Sequence, residues 1–403
     1  MPVRATKRGT DRTPLSGEWD VIVCGASFAG LAVARELSGS GASVLVLDRY
    51  DIGERQTSAC AAPTDLLVNM GLGGAVRQTF GSLLVHTPRV SGRWPLPFTF
   101  STFDYRHLCE LLWAQCGDAV FETAKVNGRT RAVVRNGAQG VVKDETVVHT
   151  DRGDVSAPLV VDALGWRRVL SDEAAIQPPD TALSRGLEVH PSGEGTDLEL
   201  WLDERYVSPG YSWSFPAGDE VRVGVGSFDP RVTVKLPTVA LVGDVGRSPD
   251  GYQGNWIPHR LRTAVEDGVF FVGDSAGHCL PTTAEGIRPA LIFGALCGRE
   301  LRAVVGGRQD VGVALARYGA ASARQRLPFE ALFRVQQSIR HLHGPVLDRL
   351  TRLFTRRRVS AWAFARYLGI CHPDLALPAP ISSATSSRER VAVEGDGGRR
   401  LSG

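Results

Sequence analysis

No stretch of this 403-residue chain has the length and apolarity of a membrane span. The first seventeen residues are polar and basic (Lys7, Arg8, Arg12) with no apolar h-region, so they are expected to be a loose arm rather than a signal peptide. Seven cysteines (Cys24, Cys60, Cys109, Cys116, Cys279, Cys297, Cys371) are scattered, odd in number and never spaced as CxxC. That argues against a disulfide framework and against a zinc site, so no metal is expected and a reducing, cytoplasmic setting is. Charge of one sign is also scarce in net terms: 46 Lys and Arg against 43 Asp and Glu leave +3, which gives no ground for a nucleic-acid partner. No repeat of fixed period is present.

What is there is a chain longer than one average domain, 43% hydrophobic and 22% charged, able to bury a sizeable core. Val21-Ile22-Val23-Cys24 is a short apolar run closed by Gly25. A helix-compatible stretch from about Ala29 to Leu37 follows, then a Gly39-Ser40-Gly41 stop and a second apolar run, Val44 to Leu47, ending in Asp48. Strand, turn, helix and strand make a βαβ unit and predict a parallel sheet. Polar and apolar residues alternate over about 76–100 and 180–230, the pattern of half-buried antiparallel strands. A helix is expected over 103–116, and a further helical, arginine-rich region over 309–370.

The expected architecture is α/β: a Rossmann-like nucleotide domain interleaved with an antiparallel substrate domain, followed by C-terminal helices. Residues 1–17 are assigned to a flexible arm; 18–75, 101–175 and 255–305 to the nucleotide domain; 76–100 and 176–254 to the substrate domain. Residues 306–376 are assigned to the helices and 377–403, a Ser, Gly, Pro and charge mixture, to a disordered tail.

A dinucleotide pyrophosphate needs backbone N–H donors at a helix start and small side chains around them. Gly25-Ala26-Ser27-Phe28-Ala29-Gly30 supplies such a turn, with Ser27 in place of the usual second glycine and able to hydrogen-bond phosphate itself. Asp48 ends the second strand, where a carboxylate accepts ribose hydroxyls, and Arg49 follows it. A second segment, Phe271 to His278 followed by Pro281 to Ile287, places Asp274 after a strand to hold ribityl hydroxyls. Its Gly273 and Gly286 admit a flavin ring, and a helix starting near Gly286 and Ile287 offers N–H donors to the flavin's pyrimidine edge. The two segments together indicate FAD.

These motifs resemble the flavoprotein superfamily of p-hydroxybenzoate hydroxylase, flavin halogenases and geranylgeranyl reductases. Gly25 to Asp48, the strand Leu159 to Gly165 with Asp162, and Gly273-Asp274 match its three fingerprints. Gly210-Tyr211-Ser212-Trp213-Ser214-Phe215-Pro216 and Gly254-Asn255-Trp256-Ile257-Pro258 are similar to elements of the geranylgeranyl reductases. In that family the first of these lines a pocket for a long isoprenoid chain beside the flavin. The resemblance therefore implies Tyr211, Trp213 and Phe215 as substrate contacts and Asp162 and Arg106 as cofactor contacts. Alternation equally allows the three aromatics to be ordinary sheet core.

Departures are Ser58-Ala59-Cys60-Ala61-Ala62-Pro63 where the family has a glycine-bearing string, Arg106 in a shifted position, and Ala284 where it has glycine. Cys60 is read either as a proton donor at the flavin or as a small buried hydrophobe, and His278 as a proton relay or a structural histidine. Glu285 is read as catalytic or as a helix-start charge. The implied activity is reduction of carbon–carbon double bonds of an isoprenoid or prenylated substrate. The alternative is an FAD-dependent hydroxylase or epoxidase of a hydrophobic metabolite, and a third reading is a flavin-dependent cyclase or isomerase. No second glycine-rich βαβ unit is present, so electrons are expected from docked NAD(P)H or from a donor protein such as ferredoxin. A lipid substrate would bring at most peripheral membrane contact.

Overall fold

The computed structural model describes residues 13–56, 58–136, 141–172, 183–249, 251–342 and 344–376. The tail expected over 377–403 and the first twelve residues of the expected arm lie outside the described residues.

Fully buried aliphatic strands build a six-stranded sheet in the order Val265–Glu266, Val269–Phe271, Leu159–Asp162, Val21–Cys24, Val44–Asp48, Val120–Thr123. It is parallel except for Val265–Glu266 at one edge, as continuous apolar runs and helical crossovers require. Helices Phe28–Leu37 and Ile287–Val305 pack against each other beside it. A four-stranded sheet (Gly17–Glu18, Gly153–Ala157, Val141–Thr150, Val126–Asn136) joins the same core through Val148, Val155 and Ala157. Leu15 is buried and donates its N–H to Arg152 O at 2.8 Å, so the described end of the expected arm is docked.

The alternating segments form an eight-stranded sheet in the order Gln253–Pro258, Leu183–Val189, Val221–Ser227, Gly210–Pro216, Leu198–Trp201, Val76–His86, Ser91–Phe103, Ala61–Pro63. Its pairs are antiparallel except Leu198–Trp201 with Val76–His86. Helix Lys235–Asp244 covers one face over a core of Val189, Val221, Val223 and Val225. The other face looks toward the nucleotide fold. The helical pattern over 309–370 resolves, among the described residues, into Val311–Ala323, Arg326–Ile339, Gly344–Phe354 and Arg357–Gly369. The last two lie on strand Ser91–Phe103. Among the described residues no helix is long and apolar enough to cross a membrane.

Candidate active site

The buried strand Val21–Cys24 delivers Gly25 to a tight turn. A Cβ on Gly30 would lie 1.8 Å from Gly25 O, and one on Gly25 2.3 Å from Ala163 O, so both positions exclude side chains. The helix starting at Phe28 has neither a side-chain cap nor an acid in its first turn, which leaves its first N–H groups for a ligand. Ser27, Phe28 and Ala29 line a cavity there. Ser27 Oγ lies 3.2 Å from Tyr105 OH, and the Phe28 ring meets Phe103 and Tyr105 edge-on.

Asp48 and Arg49 also line the cavity. Asp48 accepts N–H bonds from Ala26 (2.8 Å) and Tyr50 (3.1 Å), so it shapes the turn as well as facing the ligand space. Burial raises its pKa against the lowering effect of those bonds.

Two cofactor residues are placed differently from expectation. Asp162 is fully buried and does not line the cavity: it accepts from Leu164 N–H (2.9 Å), Leu170 N–H (2.8 Å) and Ser275 OH (2.7 Å). It therefore holds the loop Ala163–Gly165, which does line the cavity, rather than touching a ligand. Arg106 sits exposed in the first turn of helix Tyr105–Trp113, outside the cavity wall, with its backbone packed on Gly53. The helix turns its buried face, Leu108, Cys109 and Leu112, inward, which leaves Arg106 on the opposite side.

The second segment borders the same cavity at Val272, Gly273 and Asp274. Gly273 adopts φ +60, and Asp274 faces the cavity with no side-chain hydrogen-bond partner among the described residues. Burial pushes its carboxyl up to about 6, partly countered by Arg262. Helix Ile287–Val305 begins on Gly286 without a side-chain cap or first-turn acid, and Gly286, Ile287 and Ala290 line the same cavity. Ala284 occupies the left-handed region at φ +52, the conformation that favours the family's glycine.

Glu285 is bound to Arg288 through two hydrogen bonds (2.7 and 2.9 Å) and accepts from Tyr367 OH. Arg288, fully buried, donates to the carbonyls of Leu368, Ile370 and Cys371, so the pair fastens the last helix to the flavin-side loop. His278 does not reach the cavity. It stacks on Phe293 at 3.8 Å, and its Nε2 is 2.9 Å from Ser322 Oγ. Burial lowers its pKa to about 3, so it stays neutral, and its surroundings are those of a structural histidine.

Tyr211, Trp213 and Phe215 share one face of their strand and all three line the cavity. Tyr211 OH donates to Thr283 O at 2.5 Å, joining this sheet to the flavin-side loop. The Trp213 indole lies flat on the sheet because its cross-strand partner is Gly224, where a Cβ would be 2.3 Å from Trp213 Cζ2. Its Nε1 donates to buried Glu188 at 3.0 Å. Glu188 in turn accepts from Gln253 (2.7 Å) and lies 3.0 Å from His190 Nε2. Burial alone would raise the Glu188 pKa, but its bonds to His190 and Gln253 hold it below the usual carboxylate value.

Cys60 also lines the cavity, at φ +52 and fully buried, and its Sγ is 3.2 Å from Ser58 O. Burial drives its thiol pKa well up against the pull of Arg222, so the proton stays on sulfur. Arg222, also buried, donates to Ala59 O (2.9 Å) and Cys60 O (3.3 Å) and fixes this loop. Sequence reasoning missed Glu188, Gly224 and Arg222. A glutamate and an arginine at inward positions of apolar strands were the only signals.

These walls enclose one cavity of about 680 Å3. It runs from Ser27 and Asp48 past Asp274 and Gly286 to the aromatic strand, then into an apolar arm formed by Leu83, Val85, Leu198, Leu200, Phe98 and Phe364. The donor set fits FAD: an uncapped helix start beside excluded side chains for phosphate, an unpartnered carboxylate for hydroxyls, and a second uncapped helix start farther along.

No family model matches the chain. It is 26% identical over 318 residues to digeranylgeranylglycerophospholipid reductase 3 of Methanosphaera stadtmanae, covering 70% of this chain and 77% of that protein. With digeranylgeranylglycerophospholipid reductase 2 of Methanothermobacter thermautotrophicus the identity is 25% over 334 residues, 75% of this chain and 82% of the other. In fold it is similar to a geranylgeranyl bacteriochlorophyll reductase-like protein from Thermoplasma acidophilum, with TM-score 0.73 and 15% identity over 90% of this chain and 98% of that one. A probable FAD-dependent monooxygenase from Pseudomonas aeruginosa gives TM-score 0.57 at 18% identity, over 87% of this chain and 100% of that one. This chain is therefore similar in sequence to digeranylgeranylglycerophospholipid reductases and in fold to the FAD-dependent oxidoreductases.

Proposed function

We propose that this FAD-dependent oxidoreductase reduces carbon–carbon double bonds of an isoprenoid or prenylated substrate. The observation that carries the reading is the continuity of the cavity, from the phosphate-type turn at Gly25–Gly30 past Tyr211, Trp213 and Phe215 to an apolar arm. An extended hydrocarbon gains from burial against such walls at about 25 cal/mol per Å2, and aromatic faces suit alkene units. The names of the curated relatives support the same substrate class.

Bound FAD, when reduced, supplies a hydride to one alkene carbon. This chain's residues do the rest. Trp213, held flat by Glu188, and Tyr211, tied to Thr283, orient the chain; the aliphatic arm excludes water. The second alkene carbon needs a proton, and Cys60, like Tyr211, is a protonated group on this wall; the thiolate left behind regains its proton once the product leaves and water enters the cavity. Electrons come from NAD(P)H or from a donor protein of the ferredoxin kind.

The test is anaerobic reduction of the holoprotein, addition of prenylated lipids and quinones, and measurement of flavin reoxidation with product mass. A gain of two hydrogens is expected. Reoxidation only after oxygen is admitted, with a product heavier by one oxygen, would replace the reductase with a monooxygenase; an unchanged product mass would indicate an isomerase.

A further inference from the structure

Helix Gly344–Phe354 packs Phe354 on Trp94, yet it buries two polar residues and leaves three apolar ones exposed. Its polar residues Asp348 and Thr351 are 6% and 0% exposed, while Val346, Leu350 and Leu353 are 40%, 37% and 38% exposed. The inward face is fixed by polar contacts to strand Ser91–Phe103 and the turn before it. Thr87 Oγ1 donates to Asp348 at 2.6 Å, Arg89 pairs with Asp348, and Trp94 Nε1 donates to Thr351 O at 3.0 Å. Residues 346, 350 and 353 follow helical spacing, so the three apolar side chains form one stripe on the side away from the protein.

The next helix, Arg357–Gly369, packs on the same strand and repeats the arrangement. Ser360 is buried and Phe364 and Tyr367 line the cavity, while Trp362 is 62% exposed with the Arg366 guanidinium 4.9 Å from its ring centre.

Charge on this surface has one sign. Between residues 344 and 369 the only acid is Asp348, turned inward and paired. Arg349, Arg352, Arg356, Arg357, Arg358 and Arg366 are all exposed, and among the described residues none pairs with a carboxylate. Exposed leucines and a tryptophan flanked by unpaired arginines match the boundary of an anionic bilayer, where apolar side chains enter the acyl region and guanidinium groups meet phosphates. A soluble acidic protein would satisfy the arginines but leave the leucine stripe without a reason.

We propose that the outward face of helices Gly344–Phe354 and Arg357–Gly369 docks on an anionic membrane surface. The opposite side of the second helix forms the cavity wall at Phe364 and Tyr367, so the apolar arm lies within one helix diameter, about 10–12 Å, of the lipid. Docking rests on this surface alone; the entry of a lipid substrate from that side rests on the reductase reading.

The test is flotation of the full-length holoprotein with extruded vesicles of phosphatidylcholine alone or mixed with phosphatidylglycerol, at low and physiological ionic strength. Binding requires no turnover, so it stands or falls separately from the reductase assay. Wild type is expected to float with the mixed vesicles and to remain behind with pure phosphatidylcholine. The triple variant R356E/R357E/R358E is expected to lose about 100-fold or more in vesicle affinity, since each arginine near an anionic surface is worth about fivefold. The variant L350S/L353S/W362S is expected to lose about tenfold while keeping its thermal melt, because the altered side chains are exposed. Equal flotation with both vesicle types, or none with either, overturns the proposal. So does an apolar variant that binds like wild type, which would make the surface a site for a soluble polyanion.

Discussion

The substitution Gly224→Ala tests whether Trp213 really forms the cavity floor. The added Cβ would fall 2.3 Å from Trp213 Cζ2, 2.5 Å from Cε2 and 2.7 Å from Glu188 Cβ. Carbon atoms pack at about 3.5–4.0 Å, so the indole must move by about 1 Å or more. Its Nε1 bond to Glu188 is 3.0 Å, and such a displacement carries it past hydrogen-bonding range. Overpacking contributes about 1–3 kcal/mol and the lost bond to a buried carboxylate about 1.5–3, so a destabilisation of about 2.5–6 kcal/mol is expected. Equilibrium denaturant unfolding gives the number, and turnover of a long-chain substrate falls in parallel as the indole narrows the cavity. Gly226→Ala, whose Cβ would lie 3.3 Å from Trp213 Cζ3, should cost about 1 kcal/mol. Gly243→Ala, in a helix with nothing within 4 Å, should stabilise by about 0.5–1 kcal/mol. If Gly224→Ala lies within about 0.5 kcal/mol of wild type, the placement of the indole is wrong.

The Asp274 carboxyl is raised to about 6 in the folded, cofactor-free chain, above its ordinary 3.8, so its protonated form is the better tolerated one. Its contribution to stability is present at and below pH about 4 and is lost as pH rises through about 6; Asp274→Asn should flatten that limb in pH-dependent unfolding of the apoprotein and weaken FAD binding. His278, lowered to about 3 from 6.5, has the opposite sign: its contribution is present above pH 6.5 and is lost as pH falls toward 3. His278→Phe should therefore reduce acid sensitivity while leaving the rate of flavin reoxidation by substrate unchanged, and a large fall in that rate would restore a catalytic role. Ala284→Gly removes a left-handed alanine and should stabilise by about 0.5–1 kcal/mol in thermal melts. All seven cysteines are free and buried, so a thiol reagent such as Ellman's should find none in the native protein and seven after unfolding.

By itself the sequence determined those features whose physics is local. The run Val21–Cys24, the glycines at 25 and 30, and the acid at 48 specify strand, tight turn and uncapped helix start within one stretch of chain, and the structure has each of them there. Period-two alternation likewise put Tyr211, Trp213 and Phe215 on one face before any partner strand was known.

What only the tertiary structure decided depends on partners distant in sequence. Gly224 is an unremarkable strand glycine until strand pairing sets it under the Trp213 ring, and Glu188 is a charge in an apolar strand until the indole and Gln253 reach it. Asp162 and His278 sit in motifs that invite a ligand role, yet Ser275 and the loop amides claim the one, and Phe293 and Ser322 the other. The helix Gly344–Phe354 shows the reason most sharply. The sequence marks it as helical and arginine-rich but not which side faces the protein; Thr87 and Arg89 hold Asp348 and Trp94 holds the Thr351 carbonyl, which turns Leu350 and Leu353 out. Periodicity defines a face; only the surface it meets decides which way that face points.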